Sequence, residues 1–190
     1  MANPPRIAAE EYLDALSAHG IEHLFCNPGT DFAPIVEAYA RASKTNAIVP
    51  TPMVVPHENC AVGMAHGYTM VTGKPQAVML HTNVGTANSI NMLINASRDR
   101  IPMLLTSGRT PFTEAGAEGS RSVHIHWAQE MYDQAGMLRE MVKWDYEMKR
   151  GDQAGMIEKL GGKEKVLGRG AIRHSPPPGV KATRITAERA

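Results

Sequence analysis

Three times before Gly108 a short apolar run breaks into a turn cluster and is followed by a segment with helical periodicity. This alternation constrains the fold more than any other feature of the chain. Ile21–Cys26 runs into Asn27-Pro28-Gly29-Thr30. The fragments Ile48–Val49 and Met53–Val55, around Pro50 and Pro52, run into Pro56–Glu58. Ala77–Leu80 runs into His81–Gly85. Helical segments follow at Phe32–Arg41, with Pro34 tolerable in the first turn, and at Glu58–Val71, closed by Gly73 and Pro75. A third spans Thr86–Arg98, with Ile90, Leu93 and Ile94 on one side. Ala8–His19 precedes them, with Ala9, Leu13 and Leu16 at amphipathic spacing, Tyr12 beside them and Gly20 as the stop. Met103–Thr106 reads as another buried strand, and past Gly108 the pattern weakens until Met137–Trp144. Strands alternating with helices of this length predict an α/β domain: a doubly wound, mostly parallel sheet with helices on both faces. Ligands of such sheets sit at the carboxyl ends of the strands, so chemistry is expected at Asn27–Thr30, Pro56–Glu58 and His81–Gly85.

Composition divides the chain. The whole carries a net charge of +1, which advertises neither a nucleic-acid nor a membrane partner. From Gly151 to Ala190, however, eight basic residues face four acidic ones, no aromatic residue occurs, and seven of the 17 glycines are found there. Ser175-Pro176-Pro177-Pro178 favours an extended polyproline conformation. Residues 1–150 are therefore read as the folded domain and residues 151–190 as a basic, poorly ordered tail, with one short helix near Gln153–Leu160. Two cysteines, Cys26 and Cys60, make no disulfide framework, and no apolar run approaches bilayer length. With no signal-peptide pattern at the N-terminus, the expected location is cytoplasmic.

Several residues in these loops have both a structural and a chemical reading. Glu58 at a helix start is favoured by the helix dipole by about 0.3–1 kcal/mol, whatever its function. It also stands between Val54-Val55 and Ala61-Val62, and an apolar setting suits a carboxyl group to proton transfer near neutrality. Gly63 and Gly67 share one helix face at a cost of about 1 kcal/mol each, which implies close approach of another backbone, in the core or across a subunit interface. Asn27-Pro28-Gly29-Thr30 is either a simple turn or a loop that brings backbone and the Thr30 hydroxyl to a ligand. His81 is either a structural histidine or a proton carrier. No phosphate loop and no dinucleotide fingerprint is present. His124-x-His126 lacks a third ligand at zinc-like spacing, so no metal site is assigned.

Taken together, four ordered motifs resemble the N-terminal, pyrimidine-binding domain of thiamine diphosphate-dependent enzymes, in the branch of acetolactate synthase and benzoylformate decarboxylase. They are Gly20–Thr30 (GIEHLFCNPGT), His57–Tyr68 (HENCAVGMAHGY), Leu80–Asn88 (LHTNVGTAN) and Lys143–Glu147 (KWDYE), and the match covers about residues 8–150. The resemblance implies the thiamine diphosphate-binding fold, with thiamine diphosphate as cofactor and a small 2-oxo acid as substrate. It implies that Glu58 hydrogen-bonds the aminopyrimidine ring and favours the imino tautomer that activates the cofactor, with Pro28 and Gly29 at the cofactor. It implies that His81 serves proton transfer near the substrate and that Thr30 stands near the substrate carboxylate. Both tilt the reading toward 2-oxo acid decarboxylation.

The chain departs from that family in two ways. The Gly-Asp-Gly…Asn motif that holds the diphosphate and magnesium is absent, and the tail after Arg150 lacks the helix and strand that end the resembled domain. The expectation is therefore a fold incomplete at its C-terminal end, by truncation or a reading-frame change after roughly Gly155. Magnesium would come only through the missing domain or a partner chain, in a homo-oligomer or with a separate subunit. Two competing functions stand beside this one. The chain would be a non-catalytic fragment that binds a partner through the Gly63/Gly67 helix, or a basic-tail nucleic-acid binder. The latter is weakest, because no aromatics interleave the basic residues.

Overall fold

In a computed structural model the described residues are 6–117, 119–148 and 180–185. Their strands are β1 (His23–Asn27), β2 (Thr51–Val54), β3 (Gln76–Leu80), β4 (Met103–Gly108), β5 (Val142–Met148) and β6 (Val180–Ile185). Their helices are α1 (Ala8–Ala18), α2 (Ala33–Thr45), α3 (Glu58–Thr72), α4 (Thr82–Asn88), α5 (Ile90–Arg98) and the short α6 (Ile125–Ala128). The strands form one sheet in the order β2-β1-β3-β4-β6-β5, and every pair is parallel.

The central strands are apolar on both faces, and the period-2 pleat deals their side chains to two cores. Leu24 and Cys26 of β1, Ala77 and Met79 of β3 and Leu104 of β4 face α1 and α2, against Leu13, Leu16 and Ile35. Phe25, Val78, Leu80, Met103 and Leu105 face α3 and α5, against Ala61, Val62, Ala65, Leu93 and Ala96. Leu24, Leu80 and Leu93 are fully buried, each contributing about 1.5–3 kcal/mol. This is the doubly wound parallel sheet with helices on both faces that the alternation predicts.

The chain leaves β1 toward β2 on one side and returns to β3 on the other. The strand order therefore reverses between β1 and β3, and a crevice opens outside their carboxyl ends.

Several boundaries differ from the sequence reading. Of the two fragments around Pro50 and Pro52, Ile48–Val49 lies outside any strand, and the second contributes to one edge strand, β2, at Thr51–Val54. Thr51 N–H and Val55 N–H donate to Glu22 and Cys26 of the β1 side, at 2.8 and 2.9 Å. The intervening Pro52 turns its missing N–H to the free edge, where a proline is tolerated. His81–Gly85 is not a loop, because α4 begins at Thr82 and is separated from α5 only by Ser89. Thr, Asn, Val and Gly are weak helix formers, which hid this turn from propensity. The tail also differs. Val180–Ile185 inserts between β4 and β5 and pairs with both, so this part of residues 151–190 is a strand rather than poorly ordered chain. The helix expected near Gln153–Leu160 lies outside the described residues.

Candidate functional site

The carboxyl ends of the strands finish level. Asn27 pairs with Leu80, Leu80 with Ser107, and Cys26 with Val54. The Asn27 side-chain amide donates to Val55 O at 2.9 Å, tying the exit of β1 to the segment that leads into α3. The three strand-exit segments singled out by sequence thus open on one crevice.

Glu58 is the first residue of α3 and is only 8% exposed. His57 caps the helix, its Nδ1 accepting from Asn59 N–H at 3.1 Å. That bond occupies the Nδ1 lone pair, so His57 offers no proton to Glu58 Oε2, which lies 3.8 Å away. Asn88 of α4 does, donating from its amide to Oε2 at 3.2 Å. Asn59 Oδ1 accepts from Met92 N–H at 3.1 Å and fixes the start of α3 against α5. Gly85 packs beside the carboxylate, where a Cβ would be tight against Leu80 Cβ at 3.2 Å and in ordinary contact with Cγ and Oε1 of Glu58 at 3.5 Å. Of the apolar neighbours named from sequence, Val55, Ala61 and Val62 are buried, whereas Val54 is exposed on the edge strand.

His81 follows β3 directly. Its Nδ1 lies 2.6 Å from Asp31 Oδ1, on a 3₁₀ turn at Thr30–Phe32. Because a carboxylate oxygen only accepts, Nδ1 carries the proton of that bond. Nε2 lies 3.3 Å from the amide nitrogen of Gln129, beyond α6. The hydrogen bond to Asp31 raises the His81 pKa above its usual 6.5. Burial opposes the rise, and the negative charges of Asp31 and Glu58 add to it. Two glycines admit the pair. A Cβ at Gly29 would stand 2.2 Å from His81 Nδ1, and one at Gly108 would stand 1.8 Å from Asp31 Oδ2. Gly29 is therefore required by packing as well as by its turn. Pro28 and Thr30 beside it are exposed at the mouth of the crevice.

The residue after His81 is strained. Thr82 is buried with φ +44°, a left-handed conformation costly for a β-branched side chain, about 1–3 kcal/mol. The hydroxyls of Thr86 and Ser107 both reach Thr82 O at 2.7 Å. The Gln134 amide bridges Thr86 Oγ1, Ser107 Oγ and Gly108 O at 3.1–3.2 Å. This buried network over-determines the backbone that aims His81.

Glu58, His81, Pro28, Gly29 and Thr30 thus share the crevice edge. Sequence reasoning missed Asp31, Asn88 and Gln129 as partners. Asp31 is adjacent to Thr30 in the turn cluster, but nothing in the spacing from 31 to 81 reveals that the two side chains meet. Gly63 and Gly67 lie outside the crevice. Among the described residues, a Cβ at Gly63 would meet only Met92, at 3.8 Å, and one at Gly67 would meet nothing within 4 Å, so their packing does not account for either glycine.

The fold and its crevice define a parallel α/β ligand-binding domain of the switch-point kind. The family model "Thiamine pyrophosphate enzyme, N-terminal TPP binding domain" matches residues 7–137. The chain belongs to that family, and thiamine diphosphate is its cofactor. Among similar proteins, the acetolactate synthase large subunit of Buchnera aphidicola is 30% identical over 151 residues, 80% of this chain and 24% of that protein. The mitochondrial acetolactate synthase catalytic subunit of Aspergillus candidus is 26% identical over 144 residues, 76% of this chain and 19% of its own length. Benzoylformate decarboxylase of Pseudomonas aeruginosa is 27% identical over 134 residues, 70% of this chain and 22% of that protein. The solved thiamine diphosphate-dependent 4-hydroxybenzoylformate decarboxylase of Rhodococcus jostii RHA1 shares the fold with a TM-score of 0.70 at 21% identity, covering 95% of this chain and 30% of that one. The chain thus spans about a fifth to a quarter of the length of these curated relatives.

The residues present fit this cofactor. Glu58 is a buried acceptor held on one oxygen by Asn88. That chemistry suits a ring nitrogen that must be given a proton or relieved of one.

Proposed function

We propose that this chain is the pyrimidine-binding module of a thiamine diphosphate-dependent 2-oxo acid decarboxylase or acetolactate synthase-like enzyme, a lyase or transferase, in which Glu58 activates the aminopyrimidine. The observation that carries this reading is the burial of Glu58 at the switch-point edge, with Asn88 orienting one oxygen. Bound thiamine diphosphate supplies the electron sink for loss of carbon dioxide. The chain's own residues do the rest. Glu58 passes a proton between its carboxyl group and the aminopyrimidine, with Asn88 fixing the rotamer. Pro28 and Gly29 offer backbone to the same ring. Thr30 orients the substrate carboxylate with its hydroxyl, and His81 gives or takes a proton at Nε2.

The diphosphate and magnesium fall to a segment outside these 190 residues or to a partner subunit, so the working form is an oligomer, here placed in the cytoplasm. Among the described residues no helix is long and apolar enough to cross a membrane. The alternative reading, a non-catalytic domain that only binds a partner, is favoured by the open space at Gly67.

Turnover decides between them. With thiamine diphosphate and magnesium the chain alone is expected to release no carbon dioxide from 2-oxo acids. Adding a subunit that carries the Gly-Asp-Gly…Asn half is expected to start turnover. Glu58→Gln is expected to remove that turnover by about 100-fold or more, with an unchanged circular dichroism spectrum. Full activity of Glu58→Gln in the mixture would overturn the role of Glu58. A mixture inert with every such subunit would favour the non-catalytic reading.

A further inference from the structure

Asp31 and His81 are fifty residues apart in sequence and share one short hydrogen bond. The Asp31 side chain is only 7% exposed. Its Oδ1 takes the His81 bond, and its Oδ2 is buried with no hydrogen-bond partner among the described residues. A carboxylate buried with a single hydrogen bond costs several kcal/mol unless a positive charge compensates it, and the imidazole is the group placed to do so. The chain has also given up side chains for the arrangement. Gly108 leaves the space that Asp31 Oδ2 fills, and Gly29 leaves the space that the His81 ring fills.

We infer that Asp31 is the positioning residue of this site, locking the His81 ring with Nδ1–H on the carboxylate so that Nε2 is the single atom from which His81 takes up or releases a proton. This rests on the reading of His81 as a proton carrier and says which atom carries and what aims it. The step is balanced by one proton. Protonated His81 releases it from Nε2 to an acceptor in the crevice or to water, and Nδ1–H stays on Asp31 throughout. Gln129 is the neutral group facing Nε2, Glu58 is the second negative charge acting on the ring, and Asp31 is the first. The raised His81 pKa agrees with this arrangement, since Asp31 favours the imidazolium.

The test needs neither cofactor nor turnover. Imidazole nitrogen and carbon shifts of His81 are followed by NMR through a pH titration of the full chain. In the wild type the neutral ring is expected as the Nδ1–H tautomer, with a midpoint above 6.5. Asp31→Asn is expected to lower the midpoint by about one pH unit and to mix the tautomers. Asp31→Glu should restore part of the shift. Gly108→Ala, which keeps both residues but evicts the carboxylate, should act like Asp31→Asn. Amide shifts of Leu24, Val78 and Leu105 report whether each variant keeps the sheet. A neutral Nε2–H tautomer in the wild type overturns the inference even if no variant folds, as does an unchanged midpoint in a folded Asp31→Asn chain. Either failure would leave the role of Glu58 untouched.

Discussion

At the scale of single residues, the crevice is built by what is left out as much as by what is present. Gly29 and Gly108 each leave a space that a neighbouring side chain uses, and those neighbours are His81 and Asp31. The Asp31–His81 pair couples stability to pH. Its partner raises the His81 pKa in the folded chain, so the folded state binds the proton more tightly than the unfolded one. The pH-dependent stabilisation is full below about pH 6.5, the unfolded value, and is lost as pH rises through the higher folded value. Comparing wild type with His81→Gln by urea unfolding isolates it, since the other histidines are common to both. The stability gap is expected to be widest near about pH 5.5 and to shrink toward about pH 9. A gap that is flat or widens with pH would contradict the pairing.

At the scale of elements, α3 carries the clearest conflict between local cost and local structure. Gly63 and Gly67 sit in its interior, where each weakens the helix by about 0.8–1.0 kcal/mol relative to alanine. None of the described residues crowds Gly67, so Gly67→Ala is expected to stabilise the isolated chain by about that amount, raising Tm by roughly 2–4 °C. Thermal and urea unfolding check this directly. A destabilised variant would mean that the open space is not open in solution. By contrast, α4 is a helix that propensity argues against. It forms because Thr82, Thr86, Ser107 and Gln134 close a buried hydrogen-bond network around its first turn. A local argument sees four weak helix formers, and only the tertiary structure supplies Ser107 from β4 and Gln134 from the segment ahead of β5.

At the scale of the whole molecule, the sheet extends beyond the domain boundary drawn from composition. β6 lies between β4 and β5, with Val180 opposite both Met103 and Val142. Interior ladder amides are protected in proportion to the opening of the sheet. Hydrogen exchange at Val180–Ile185 is therefore expected to be slow and comparable to that of Met103–Gly108. Exchange at the rate of an unstructured peptide would restore the reading of a poorly ordered tail.

The sequence by itself determined the alternation of strands and helices, the parallel sheet they build and the three loops at its carboxyl edge. These follow from local periodicity and turn chemistry, which act over a few residues. It also carried the motifs within residues 7–137 that place the chain in its family, and Glu58, His81 and Thr30 could be singled out from them. Only the tertiary structure decided that Asp31 meets His81, that Asn88 meets Glu58, and that a stretch of the basic tail joins β4 and β5. Each of these brings together residues thirty or more positions apart, and their meeting depends on strand order and register, which no local pattern encodes. The glycines show the same division. Sequence reads Gly29 and Gly108 as breaks in pattern, whereas the fold makes them the spaces in which His81 and Asp31 lie.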